Sequence, residues 1–166
     1  MAFKEFGNYD AVGLAELVHR KQVTALELLD EAVARTAKVD PQINAVVVKH
    51  YDYARRQIEN GLPDGPFTGV PFLLKDLEFL EGTRTTSGSS IYKDHIAGYT
   101  TTLAQRFLNA GLTIFGKSST PEFGLMPTTE PRARQRCDAG CDPWKRTYEP
   151  LCGAKAGAAL CRGGRP

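Results

Sequence analysis

Short apolar runs separated by amphipathic stretches constrain the fold of this chain more than any other feature of its sequence. Three runs are rich in β-branched or aromatic residues: "INAVVV" at 43–48, "FTGVPFLL" at 67–74 and "LTIF" at 112–115. Their length and composition are typical of buried strands. Because helix-like segments lie between the runs, the chain is predicted to form an α/β sheet with helices packed against it.

Helix start and stop signals mark the segments between these strands. Thr24 and Glu27 have the spacing of a capping box, and an apolar face continues from there to Pro41, which predicts a helix. Two further helices are predicted over 51–60 and 101–110, followed by Gly61 and Gly111. The Gly/Thr/Ser-rich stretch 82–90 is predicted to be a flexible loop that contributes little to the core.

The segment 131–166 differs in composition from the rest of the chain. It holds eight Lys/Arg residues, three Asp/Glu residues and all four cysteines, and its apolar residues show no clear periodicity. The whole chain of 166 residues is 42% hydrophobic, which is enough for one core. We therefore predict a folded domain over 1–130 and a divergent, poorly ordered tail over 131–166.

Composition also limits the partners. No apolar run approaches the roughly 20 residues that a bilayer span requires, so no membrane contact is expected and a cytoplasmic location is predicted. No aromatic residues interleave with the arginines of 131–166 in a stacking pattern and the rest of the chain is acidic, so nucleic-acid binding is not expected. The sequence leaves the oligomeric state open.

Lys75 is the candidate catalytic base. It ends the apolar run of "GVPFLLKDL" at 69–77, where a loss of hydration would disfavour the ammonium form and lower the pKa of the amine. Such a lysine could accept a proton at neutral pH. In the alternative interpretation, Lys75 emerges at the strand end, pairs with Asp76 or another acid, and only closes the sheet.

Three ordered segments then give the chain a specific resemblance. "GVPFLLKD" at 69–76, "GTRTTSGSS" at 82–90 and "AGLTIFGKSSTPEFG" at 110–124 have the order and spacing of motifs in the amidase signature family of serine hydrolases. "DPWKRTYEP" at 142–150 is similar to the Trp-containing segment that follows in that family. The resemblance implies the N-terminal part of a layered α/β/α amidase core with a mixed sheet, and a small-molecule amide as substrate.

The resemblance also implies a mechanism in which a neutral lysine, here Lys75, draws a proton through a bridging serine held by a cis peptide. That serine activates a second serine, which attacks the amide carbonyl, and hydrolysis of the acyl-enzyme releases an acid and ammonia or an amine. The family continues with Gly-Gly-Ser-Ser-Gly-Gly after the proline matched by Pro150, whereas "LCGAKAGAAL" follows here at 151–160. Because both serines are missing, we interpret the chain as a truncated, divergent or partly out-of-frame copy that does not catalyse by itself.

Two other motifs are candidates for a nucleophile and for a phosphate-binding site. Ser87, Ser89 and Ser90 follow Lys75 at short range, but serines beside glycine are usually turn residues, so we interpret them as part of a pocket wall. "GLTIFGKS" at 111–118 matches the phosphate-binding loop pattern. Its middle residues are typical of a strand, which in a true phosphate loop would precede the first glycine, so nucleotide binding is the weaker hypothesis.

Thiols and imidazoles give no strong site. The cysteines lack the C-x-x-C spacing of tight zinc sites and are interpreted as unpaired thiols; they are Cys137, Cys141, Cys152 and Cys161. His19, His50 and His95 are isolated in sequence and are assigned to helix surfaces or loops. The sequence therefore predicts no metal and no cofactor. A nonenzymatic remnant that docks on a full-length relative stays open as an alternative function.

Overall fold

The computed structural model describes residues 3–127 and 129. In chain order, its helices and strands are α1 (Ala11–His19), α2 (Ala25–Ile43), β1 (Val46–Lys49), α3 (Tyr51–Glu59), β2 (Pro71–Lys75), α4 (Thr102–Asn109) and β3 (Thr113–Ser118). Short 3-10 helices lie at Lys4–Asn8, Ser90–Tyr92 and Glu122–Gly124. The predicted tail at 131–166 lies outside the described residues, so the boundary at residue 130 stays a prediction.

The three strands form one mixed sheet in the order β1-β3-β2. β1 pairs antiparallel with β3 and β2 pairs parallel with it. This sheet confirms the predicted α/β class. The run predicted as a strand over 67–74 begins as a turn, because Gly69 adopts a φ of +83° and pairing starts only at Pro71.

The capping box predicted for α2 is present. The Thr24 hydroxyl accepts a hydrogen bond from the Glu27 amide at 3.2 Å, and the Glu27 carboxylate accepts one from the Thr24 amide at 2.9 Å. The helix continues through Pro41 to Ile43 and ends at Asn44, whose φ is +50°. The predicted end at Pro41 is therefore too early, because a proline this close to the terminus removes only one amide donor from the helix.

Helices pack on both faces of the sheet. Ile114 and Phe115 are adjacent in β3 and therefore point to opposite faces. Ile114 packs with Leu74 of β2 and Ala104 of α4, whereas Phe115 packs with Leu29 of α2. Full burial of a Leu or Ile side chain contributes about 2 kcal/mol. The two clusters thus hold a helix–sheet–helix arrangement that positions the carboxyl end of β2.

Candidate active site

Lys75 is the last residue of β2, and its side chain is exposed. It lies opposite Ser118 in the parallel pairing with β3, and its carbonyl accepts a hydrogen bond from the Glu78 amide at 3.0 Å. We expected Lys75 to be buried. This expectation is wrong, because the described residues leave its side chain exposed to solvent. Leu74 and Asp76, on either side of Lys75, are fully buried, because successive side chains along an extended segment point to opposite faces and that of Lys75 points away from the core. A role for Lys75 as a base stays a prediction.

Asp76 ties the end of β2 to the segment 82–90. Its side chain is fully buried, and the Thr86 hydroxyl donates a hydrogen bond to its Oδ2 at 2.5 Å. The Thr86 amide lies 3.2 Å from Oδ1, and the Asp76 carbonyl accepts a hydrogen bond from the Ser87 amide at 3.0 Å. Burial raises the pKa of Asp76, and the hydrogen bonds from Thr86 oppose that rise. Asp76 is therefore bound to Thr86, and within residues 3–127 it forms no ion pair with Lys75.

Lys117 is a buried cation next to this turn. Its side chain is fully buried, and Nζ donates hydrogen bonds to the Glu78 carbonyl at 3.1 Å and to the Thr85 hydroxyl. Burial lowers the pKa of Lys117 to about 8, while the negative charges of Asp76 and Glu78 act in the opposite direction. Sequence reasoning assigned this kind of environment to Lys75 and missed Lys117. The signal that could have identified it is the position of Lys117 in β3, two residues after the apolar run that ends at Phe115.

The phosphate-loop pattern at 111–118 folds as a strand, as its middle residues predicted. Gly111 follows α4 with a φ of +86°, and a Cβ there would lie 2.6 Å from the Thr68 Cα. This glycine allows a close crossing of two backbone segments. Since Lys117 lies in a buried strand and not at the start of a helix, the segment lacks the amide cradle of a phosphate loop.

The segment 82–90 is a loop, as predicted, but it packs into the core. Thr85 and Ser89 are fully buried. Gly88 has a φ of +67°, and a Cβ there would lie 2.7 Å from a neighbouring carbonyl oxygen. The Ser89 hydroxyl accepts a hydrogen bond from the Ile91 amide at 3.3 Å, which is a turn contact. The expectation that the segment contributes little to the core is therefore wrong, because its hydroxyls and amides find partners inside the protein.

The histidines occupy different environments. His19 ends α1 and is exposed, as assigned from the sequence. The Nε2 atoms of His50 and His95 are buried, and neither has a hydrogen-bond partner among the described residues. Burial, together with the charges of Lys117 and Arg84, lowers the pKa of His50 to about 4. His50 lies in the connection between β1 and α3, which agrees with its assignment to a loop, but that assignment did not include the burial of its Nε2.

Within residues 3–127, no three His, Cys, Asp or Glu side chains are placed to hold a metal ion together. None of the helices described above is long and apolar enough to cross a membrane. All four cysteines fall outside the described residues, so their interpretation as unpaired thiols stays a prediction.

Comparisons with known proteins agree with the motifs. The family model described as Amidase matches residues 27–159. The chain is 40% identical over 138 residues to a 6-aminohexanoate-cyclic-dimer hydrolase of Paenarthrobacter ureafaciens, covering 81% of this chain and 27% of that relative. It is 39% identical over 116 residues to a lipoamidase of Enterococcus faecalis, covering 69% of this chain and 16% of that relative.

Solved structures show the same relationship. A 6-aminohexanoate cyclic dimer hydrolase complexed with substrate superimposes with a TM-score of 0.70 at 39% identity, over 75% of this chain and 26% of that one. A bacterial aryl acylamidase of the amidase signature enzymes gives a TM-score of 0.66 at 32% identity, over 74% of this chain and 27% of that one. The chain thus spans less than a third of the length of these relatives, and the family match extends past the predicted boundary at residue 130.

Proposed function

The chain belongs to the amidase signature family, and on that basis we propose that it is the N-terminal part of a hydrolase that converts a small-molecule carboxylic amide into an acid and ammonia or an amine. One observation carries the proposal. Lys75 directly precedes Asp76, whose buried contacts with Thr86 join the first two motif segments of the family. The proposal includes the predicted cytoplasmic location.

In the proposed mechanism, Lys75 supplies the base. The exposed amine is free to contact residues that pack on the end of β2. A serine-bearing segment placed there would strip water from Lys75, which favours the neutral amine and allows it to draw a proton from a bridging serine. The Asp76–Thr86 contact would fix the backbone from which Lys75 projects. Lys117 would act as a structural cation, because its hydrogen bonds hold it inside the core.

The two serines of this mechanism have no matching position in the chain. The sequence after Pro150 reads "LCGAKAGAAL", without serine. We therefore expect the purified chain to release no ammonia from simple aliphatic or aryl amides above the rate of a Lys75→Ala control. A robust rate that depends on Lys75 would overturn the proposal that the chain is catalytically incomplete.

A chimera tests whether this N-terminal part fits the proposed enzyme. Residues 1–126 would replace the matching segment of the P. ureafaciens hydrolase, so that the relative supplies all later residues. We expect the chimera to hydrolyse 6-aminohexanoate cyclic dimer, while the chain alone and the relative without its N-terminal segment do not. A chimera that folds cooperatively but shows no hydrolysis would contradict the proposal.

A nonenzymatic role is the second candidate, and the sheet supports it. In the described part of the chain, β1 and β2 each pair with β3 on one side only, so each leaves one edge without a strand partner. Such edges can pair with strands from another chain. Native mass spectrometry of the chain mixed with a full-length relative tests this role. A defined complex would support docking, and two separate species would contradict it.

A further inference from the structure

A cavity of about 520 Å³ lies beside the start of α3, where β1 and the segment 82–84 meet it. The side chains that matter to its chemistry belong to Lys49, His50, Tyr53, Arg56 and Arg84. The cavity falls within the usual size range of small-molecule sites, roughly 300–1,000 Å³. Lys75 is not among its lining residues.

The charges around this cavity are unbalanced. Lys49, Arg56 and Arg84 line it, and Asp52 is the acidic residue in the lining. The Lys49 ammonium lies 3.5 Å from the Asp40 carboxylate and is neutralised by it. Within residues 3–127, neither Arg56 nor Arg84 has a carboxylate within salt-bridge distance. In that part of the chain, the two guanidinium groups therefore form no ion pair, and the charge of Asp76 acts on Arg84 only at longer range.

The Arg84 guanidinium is held in place by one hydrogen bond and keeps other N–H donors available for a ligand. It donates a hydrogen bond to the Val47 carbonyl at 3.1 Å. A guanidinium has five N–H donors, so this bond leaves most of them available. Arg84 is also half-buried, which strengthens its interaction with an acceptor relative to a fully solvated arginine.

His50 lines the same cavity, and its pKa responds to the positive charges around it. Its Nε2 is buried without a partner among the described residues, and the positive charges of Arg84 and Lys117 disfavour protonation of the ring. A negative group in the cavity would offset these charges. It would therefore change the environment of the imidazole even without touching it.

We propose that this cavity binds a small organic anion through a phosphate or carboxylate group, with Arg84 as the main contact and Arg56 as the second. Arginine forks match the oxygens of both groups, and such charge-assisted hydrogen bonds are stronger than neutral ones. Tyr51 and Tyr53, both half-buried, also line the cavity and would contact the rest of the molecule.

The test uses the full chain, with inorganic phosphate and acetate as separate probes at constant ionic strength. Calorimetric titration gives the affinity, and the ring resonances of His50 show where the anion binds. Arg84→Gln and Arg56→Gln remove the proposed contacts. Arg55→Gln is the matched control, because Arg55 lies on the same helix but pairs with Asp30 at 2.5 Å and does not line the cavity.

We expect at least one probe to shift the His50 resonances in a saturable way and to bind at least tenfold more weakly to Arg84→Gln and to Arg56→Gln. Arg55→Gln should change the affinity less than twofold. Arg56 is exposed, so its variant keeps the test valid if Arg84→Gln fails to fold. Three outcomes would overturn the proposal. The affinity could fall equally in Arg55→Gln, it could be unchanged in both cavity variants, or the probe could bind without shifting the His50 resonances. The last outcome would place the binding away from this cavity.

Discussion

The Lys117 ammonium in β3 donates a hydrogen bond to the Thr85 hydroxyl, 32 positions earlier in the chain. The same Nζ donates to the Glu78 carbonyl in the turn after β2. One buried side chain thus joins three segments that are distant in sequence. These bonds offset part of the cost of removing the charge from water.

Lys117→Ala should destabilise the fold strongly. The substitution leaves a cavity and removes the partners of Thr85 and Glu78, so we expect the free energy of unfolding to fall by about 3 kcal/mol. Urea denaturation followed by circular dichroism measures the change. Lys93→Ala is the control, because Lys93 is exposed and should change stability by less than about 0.5 kcal/mol. Equal losses in the two variants would contradict the structural role of Lys117.

Thr86→Val tests the contact between Thr86 and Asp76. It removes the hydroxyl that donates to the buried carboxylate, while the Thr86 amide remains. A lost hydrogen bond to a buried charged group should lower the free energy of unfolding by about 2 kcal/mol. Thr102→Val, at an exposed position of α4, should have little effect in the same denaturation assay. A Thr86→Val protein as stable as the wild type would show that the carboxylate does not depend on this hydroxyl.

Substitutions at two glycines of the segment 82–90 distinguish the cost of backbone strain from the cost of a steric clash. Gly82 and Gly88 both have positive φ, at +73° and +67°. A Cβ at Gly82 meets open space, whereas one at Gly88 would lie 2.7 Å from the Thr120 carbonyl oxygen. We expect Gly82→Ala to cost about 1 kcal/mol and Gly88→Ala clearly more, because it adds the clash to the strain. Thermal melts give the comparison, and a larger loss in Gly82→Ala would be evidence against the packed loop.

His50 should make the fold sensitive to mild acid. Its pKa falls from 6.5 in the unfolded chain to about 4 in the folded protein, mainly because of burial. Between these values the unfolded chain binds a proton that the folded protein does not. The free energy of unfolding should therefore decrease as the pH falls from 6.5 to 4, by up to about 3 kcal/mol.

His50→Gln should remove this contribution, because glutamine does not titrate. The measurement is the difference in stability between wild type and variant at about pH 4.5 and about pH 7, on either side of most of the titration. His19→Gln, at an exposed position, is the matched control. If wild type and His50→Gln lose the same stability over this range, His50 is not the titrating group.

Local signals in the sequence predicted much of the fold. The capping box at Thr24 and Glu27 depends on residues three positions apart, and it is present at the start of α2. The alternation of strands and helices gave the α/β class, and the apolar middle of 111–118 indicated a strand despite the phosphate-loop pattern. The family motifs were recognised for a similar reason, since each is a short contiguous segment.

The candidate site was harder to predict because its contacts span long distances in sequence. Lys117 reaches Glu78 across 39 positions, and no pattern within β3 shows that hydrogen-bond acceptors surround its ammonium. The Thr85 hydroxyl, buried in the core, accepts a hydrogen bond from the same ammonium across 32 positions. Lys75 was expected to be buried because the run before it is apolar, but exposure at the end of a strand depends on what packs beyond it.

The dependence of the chimera on Lys75 is the most direct test of the account. The measurement is kcat/KM for 6-aminohexanoate cyclic dimer, compared between the chimera and its Lys75→Ala variant, with Lys93→Ala as the control for loss of an exposed lysine. We expect Lys75→Ala to lower kcat/KM by about a thousandfold, as loss of a general base does, and Lys93→Ala to leave it unchanged. A Lys75→Ala chimera that folds and keeps its activity would contradict the assignment of Lys75 as the base.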